Sequence, residues 1–250
     1  MKPPHGLPTL DQVKLGVVCP MANEARNAVR FVESVLAECD RSRFASVSVF
    51  VVVDHVSRDD TRAVLDRYAE REPRLRVVWA PETRGVADAY VRGYRAALAA
   101  GCDWVLEIDA GFSHSPADIN AFFIAMSDGY DCVFGSRFME GGRNVGTLKR
   151  RLISRGGTVL TNLLLGTGLS DMTSGFELFR RAALEEVVAR GVRSHGPFFQ
   201  TEVKARCRRL RVAEVPISYT SGSHTIGSGA ISESFANLWW LFGERVRSRL

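Results

Sequence analysis

The stretch LEIDAGFSH, Leu106 to His114, decides the fold, because an apolar run delivers an acid, Asp109, to the tip of a buried strand. Where a second acid would be useful, two residues on, the chain carries Gly111. The full run is WVLEID (104–109), and four others share its bulky apolar character: VKLGVVCP (13–20), SVSVFVVVD (46–54), LRVVWA (75–80) and YDCVFGSR (130–137). Such near-continuous runs suit strands covered on both faces. Between them stand the helical patterns EARNAVRFVESVLAE, DDTRAVLDRYAERE, GVADAYVRGYRAALAAG and SPADINAFFIAMSDG, the last with Ser115 as expected N-cap and Pro116 in the first turn. Strand alternating with helix predicts an α/β fold with one doubly wound, mostly parallel sheet flanked by helices.

After Arg137 the rhythm changes. A glycine-rich loop, FMEGGRNVGT, precedes a helix over 148–166; then follow a turn TGLSDMTSGF, helices from about Arg180 and near 198–209, and a strand VAEVPISY (212–219). TSGSHTIGSGA (220–230) is a flexible loop by composition. In the final twenty residues Ile231, Phe235, Leu238, Trp239, Phe242 and Val246 recur at helical spacing. They predict a C-terminal amphipathic helix that lies in a membrane interface or docks on its own domain. The chain therefore divides into a disordered tail over 1–12, one domain over 13–220, and the loop with its helix over 221–250.

With 250 residues, 46% of them hydrophobic, the chain can bury one sizeable core. No apolar run reaches the roughly 18 residues of a membrane span, and the first twelve residues lack the apolar centre of a secretory signal. The five cysteines are odd in number and scattered, which points to reduced thiols in a cytoplasmic setting and against zinc. The formal charge is +5, and only four of the 33 basic residues are lysine. Arginine forks phosphates and carboxylates well, so an anionic substrate or membrane surface suits the balance. Charge alone does not exclude nucleic acid, but no nucleic-acid partner is expected.

Ligands of open parallel sheets bind outside the carboxyl ends of the strands. Those ends carry Pro20 to Glu24, Asp54 to Ser57, Asp109 to His114, and Arg137. A dehydrogenase would need G-x-G-x-x-G after the first strand, and CPMANEAR has no glycine. A phosphate-cradling G-x-x-x-x-G-K-S/T is also absent.

Eight blocks, CPMANEARN (19–27), VVDHVSRDDT (52–61), RGVADAYVRGYRAA (84–97), LEIDAGFSHSPADI (106–119), FGSRFMEGG (134–142), RRLISRGGTVLTNLLLG (150–166), DMTSGFELFRR (171–181) and AEVPISY (213–219), stand in the order seen in family-2 inverting glycosyltransferases. The chain most resembles their dolichol-phosphate or polyprenyl-phosphate mannosyltransferase branch over residues 14–220. The resemblance implies the GT-A fold, a nucleotide sugar as donor with GDP-mannose favoured and UDP-glucose next, a lipid phosphate as acceptor, and a divalent metal, Mg²⁺ or Mn²⁺. It implies that Pro20, Asn23 and Glu24 line a nucleoside pocket and that Asp54 meets the base or ribose. Asp109 would be the first acid of D-x-D, holding the metal and serving catalysis with Arg137. Arg150, Arg151, Arg155 and Ser174, the last within the TSGF turn, would face the acceptor phosphate.

Three positions break the pattern. His55 replaces the second acid of D-D-x-S, and Gly111 the second acid of D-x-D. The late loop lacks the arginine and Ser-Lys of relatives, leaving His224 as its only potential cation. Ser113 or His114 could complete the metal shell, and the two losses near the diphosphate could offset each other in charge. A soluble hydroxyl acceptor, with His114 as first suspect for its base, and a non-catalytic nucleotide-sugar binder are the alternative readings. Peripheral membrane contact is expected, and a homo-oligomer stays open.

Overall fold

The computed structural model describes residues 9–220 and 228–250. Its sheet has seven strands: β1 (Lys14–Pro20), β2 (Ser46–Val53), β3 (Leu75–Trp79), β4 (Trp104–Ile108), β5 (Cys132–Ser136), β7 (Phe176–Arg180) and β8 (Val212–Pro216). A two-stranded sheet pairs β6 (Arg143–Asn144) with β9 (Ser218–Tyr219). The helices are α1 (Ala28–Asp40), α2 (Thr61–Ala69), α3 (Val86–Ala99), α4 (Ile119–Ser127), α5 (Leu148–Leu165), α6 (Arg181–Arg190), α7 (Phe199–Arg206) and α8 (Ser228–Val246).

The strand order is β3-β2-β1-β4-β7-β5-β8, parallel except that β7 runs antiparallel to both β4 and β5. Alternation along the strands feeds two cores. Val17, Val51 and Leu106 pack with Phe31 and Val35 of α1 and Phe122 of α4, while Val18, Phe50 and Phe179 pack with Tyr94 of α3, Leu184 of α6 and Phe199 of α7. Gly93 lets α3 approach the sheet, because a Cβ there would lie 2.2 Å from Val18 Cγ1.

Several elements differ from the sequence-based expectation. FELFR forms β7, in the middle of the sheet, where only the end of a turn and the start of a helix were expected. Its apolar character is shared with buried helices, and its antiparallel insertion depends on partners far away in sequence. VAEVPISY splits at Ile217 into β8 and β9, which belong to different sheets. Ser115 precedes a 3-10 turn, Pro116–Asp118, without a side-chain cap bond, and α4 begins only at Ile119. Within the expected tail, Leu10–Gln12 form one 3-10 turn.

Helix α5 starts where Thr147 accepts the Arg150 N–H and ends at Gly166, whose φ of 67° is the left-handed C-cap conformation. Arg245 of α8 donates to the Leu163 and Leu164 carbonyls at 3.1 and 2.7 Å, satisfying that end. Near its own start α8 is tied by Glu233, which accepts from the His195 and Gly196 N–H groups. Leu238 and Leu241 pack with Leu165 and Ala205, whereas Trp239 is exposed. Trp240 lies beneath Arg193 and Arg206, whose guanidinium carbons stand 5.1 and 5.8 Å from its ring. Thus α8 docks on its own domain and still presents an apolar stripe outward, Ile231, Phe235, Trp239 and Val246. Among the described residues no helix is long and apolar enough to cross a membrane. All five cysteines are free and buried.

Candidate active site

Asp109 follows β4 at the carboxyl edge of the sheet. Its Oδ1 accepts the Tyr90 hydroxyl at 2.6 Å, and its Oδ2 lies 3.9 Å from His114 Nδ1. The side chain stays 41% exposed, so a ligand can reach it. His114 is buried, stacked on Phe176 at 5.3 Å and packed beside Tyr219 at 5.2 Å. Burial pushes its imidazole down to about 4; the Asp109 charge opposes this and Arg137 adds to it. The ring is therefore neutral at pH 7, and its Nδ1 makes no hydrogen bond among the described residues. Ser113 is held in the loop, its Oγ donating to the Ala110 carbonyl at 3.3 Å.

Gly111 has φ +71°, and a Cβ built on it would stand 2.7 Å from Glu24 Oε1. The Glu24 carboxylate thus occupies the space that a longer side chain at 111 would need. Cys19 registers both acids, since its thiol is raised by burial and then by the charges of Asp109 and Glu24.

The other expected nucleoside-side residues spend their polar atoms on the scaffold. Pro20 ends β1 and pairs with Val52. Asn23, at φ 58°, donates to the Val56 carbonyl and accepts the Arg58 N–H, stitching the first loop to the second. Asp54 accepts from Thr83 Oγ1 at 2.6 Å and from the Val56 N–H at 2.9 Å. His55, exposed, meets the Pro81 carbonyl through Nδ1.

Arg137 stands at the end of β5 over a buried charge cluster. It grips Asp171 with both arms of its fork, at 2.7 and 2.8 Å, and donates to Thr173 Oγ1. Burial raises Asp171, but the Arg137 hydrogen bond and charge, helped by Lys204, win and hold it at about 2. Lys204, fully buried on α7, donates to the Asp171 and Ser174 carbonyls and to Ser174 Oγ. Its Nζ also lies 3.3 Å from Glu177 Oε1. Across the strand pair Glu177 faces Glu107, and both are fully buried. Burial, partly offset by Lys204, lifts Glu177 to about 7; burial and the Glu177 charge lift Glu107 well above the carboxylate range. Two like acids in one dry space cannot both ionise, so Glu107 keeps its proton at neutral pH.

A cavity of about 560 Å³ opens between this floor and α5 and α8. Asp109, His114, Arg137 and Arg150 line one part of it, with Ser154 and Ser174; Ile153, Leu160, Phe198, Ile231, Phe235 and Leu238 line the rest. Arg151 and Arg155 turn instead to a second cavity of about 250 Å³, beside Phe138, Leu148 and Leu152. So Asp109, Arg137, Arg150 and Ser174 meet in one place, Glu24 approaches from the Gly111 side, and Arg151 and Arg155 line an adjoining cavity that shares Arg137 and Asn144 with the first. His224 lies outside the described residues.

Sequence reasoning missed Tyr90, Asp171, Glu107, Glu177 and Lys204. A usable signal existed for three of them: acids inside the apolar runs WVLEID and GFELFR, which need a buried cation, in a chain with few lysines. Among the described residues no three metal-ligating side chains converge.

The glycosyl transferase family 2 model matches residues 16–188. The chain is 32% identical to the undecaprenyl-phosphate mannosyltransferase of Micrococcus luteus, covering 80% of this chain and 86% of that one. It is 31% identical to the polyprenol monophosphomannose synthase of Mycolicibacterium smegmatis, covering 93% and 89%. Glucosyl-3-phosphoglycerate synthase from Mycobacterium tuberculosis, solved with Mn²⁺, uridine diphosphate and phosphoglyceric acid, superposes with a TM-score of 0.68 at 18% identity, covering 92% of this chain and 79% of that one. The seven-stranded sheet with its single antiparallel member, the acid at the tip of β4 and the match along most of the chain agree: this chain belongs to glycosyl transferase family 2 and is a glycosyltransferase of the GT-A fold.

Proposed function

We propose that the enzyme moves a hexose, mannose before glucose, from a nucleoside-diphosphate sugar to a polyprenyl phosphate, with inversion. The observation that carries this reading is the two-part cavity, polar around Asp109, Arg137 and Arg150 and apolar between α5 and α8. A phosphate on an isoprenoid chain has the same two parts, and two relatives carry names with such acceptors.

A phosphate acceptor is an anion at neutral pH and needs no base to deprotonate it. His114, pushed down to about 4, would be a poor base for a hydroxyl acceptor at pH 7. Arg150 with Arg137 holds the acceptor phosphate above Ser174, whose Oγ donates to the Gly135 carbonyl and accepts from Lys204 Nζ; Pro20, Asn23, Glu24 and Asp54 frame the nucleoside. Two carboxylates fit a divalent ion: Asp109 is part exposed and the Glu24 carboxylate borders Gly111. Mg²⁺ accepts one or two carboxylates and completes its shell with phosphate oxygens and water. Bound there, it would neutralise charge on the departing diphosphate. Asp109, aimed by Tyr90, and Glu24, which stands in for the acid missing at 111, would hold it, with water and phosphate oxygens completing the shell. The enzyme meets the membrane peripherally, from the cytoplasmic side.

Purified enzyme is incubated with labelled GDP-mannose or UDP-glucose, Mg²⁺ or Mn²⁺ and a short polyprenyl phosphate in detergent. Label is expected in an organic-extractable product of inverted anomeric configuration, and Asp109→Asn should lower its formation on the order of 100-fold or more. Label that stays on the nucleotide, or passes only to a soluble hydroxyl compound, would sink the proposal.

A further inference from the structure

Helix α5 sorts its cations by face. Arg150 and Ser154, four residues apart, line the large cavity, while Arg151 and Arg155, also four apart, line the smaller one with Leu148 and Leu152. The helix, LKRRLISRGGTVLTNLLL, carries four basic side chains and no acid. No acidic residue lines the smaller cavity, and neither Arg151 nor Arg155 has an ion pair with a described residue. Arg155 is steadied by Phe138, with its guanidinium carbon 5.4 Å from the ring centroid, so little freedom remains to be lost on binding an anion. Beside these cations runs an apolar stripe left in water: Leu148 is 69% exposed, Leu152 61%, Val159 68% and Leu163 75%.

We infer that the Arg151/Arg155 cavity, which adjoins the acceptor cavity across Arg137 and Asn144, is a binding site for the headgroup phosphate of an acidic phospholipid in the bilayer. This rests on the membrane contact proposed above and adds its chemistry. An anion is the complement of two guanidinium groups that have no carboxylate partner among the described residues, one of them resting on Phe138. The leucines flanking those groups choose between anions, because a soluble phosphate would leave the apolar stripe exposed whereas a lipid buries it among acyl chains. The pairing is that of an interfacial helix, with apolar side chains dipping past the headgroups and arginines reaching them.

The test is co-flotation of the full chain with vesicles of neutral phosphatidylcholine, of phosphatidylcholine with about one-third phosphatidylglycerol, and of phosphatidylcholine doped with polyprenyl phosphate. Each is run with the wild type and with Arg151→Gln/Arg155→Gln. Wild type should prefer the phosphatidylglycerol vesicles, and the double variant should lose roughly ten- to thirty-fold of binding to them, about one order of magnitude or more for two interfacial charges. Equal wild-type binding to neutral and acidic vesicles overturns the site. So does a variant that loses only the polyprenyl phosphate arm, which would assign both arginines to the acceptor, or a loss reproduced by millimolar inorganic phosphate in place of lipid. Transfer by wild type in detergent, measured in parallel, reports on the acceptor reading alone, so the two can fail separately.

Discussion

Asp54 and Arg137 both stand at strand ends on the same edge of the sheet, yet they are held in opposite ways. Asp54 is fixed by neutral donors, the Thr83 hydroxyl and the Val56 N–H, in a rim of loops sewn together by Asn23 and its neighbours. Arg137 is fixed by a buried carboxylate that belongs to a cluster with Lys204, Glu177 and Glu107. A neutral clamp loses one net hydrogen bond when cut, whereas a buried charge cluster strands a charge. The first half of the molecule should therefore tolerate damage to its rim, and the second half should not tolerate damage to its floor.

The largest expected effect is at Lys204. Lys204→Met should cost on the order of 3–5 kcal/mol in denaturant unfolding, since the Asp171 and Ser174 carbonyls and Glu177 lose a buried cation together; a loss near that of an exposed lysine would show the floor to be uncharged. Where the halves meet, Gly111→Asp should cost about 1–2 kcal/mol, from a side chain at positive φ and from a carboxylate forced against Glu24. Glu24→Gln in the same chain should recover part of that loss; strict additivity in the double-mutant cycle would remove Glu24 from the account. On the rim, Thr83→Val should cost about 1 kcal/mol with the fold retained, and a cost as large as that at Lys204 would erase the contrast.

The smallest effect is one of slope. Glu177 is lifted from its ordinary 4.5 to about 7 in the folded chain, so the native state keeps a proton that the unfolded chain releases. That stabilisation is complete below pH 4.5 and is lost as pH rises towards 7. Glu177→Gln should flatten the fall in unfolding free energy between pH 5 and 7; an unchanged slope would place the titration elsewhere.

The same contrast explains what could be read from the chain. The rim elements announce themselves locally, because β1 to β4 and the helices between them are runs with clear periods, and Asp109 sits where a strand ends. The floor joins residues 34 apart, as with Arg137 and Asp171, or 70 apart across β4 and β7, as with Glu107 and Glu177. Nothing in a local window states such partners. Strand β7 shares this difficulty, since FELFR gains its identity from β4 and β5. Arg150 and Arg151 differ in role only through the 100° turn between successive helical residues, which decides which cavity each one faces. Trp239 and Leu238 fall on one stripe of the helical pattern, yet Leu238 is buried, Trp239 faces out, and the neighbouring Trp240 lies under two arginines.

The antiparallel strand has a consequence for how the protein is made. β7 fills the gap between β4 and β5, so until Arg180 has left the ribosome β4 presents a bare edge and β5 has no neighbour on that side. The nascent chain must carry four paired strands with an open flank for some seventy residues of translation, the interval in which an exposed edge recruits the wrong partner. Slow codons or chaperone contacts would matter most there, and a fragment ending before residue 176 would expose that flank permanently.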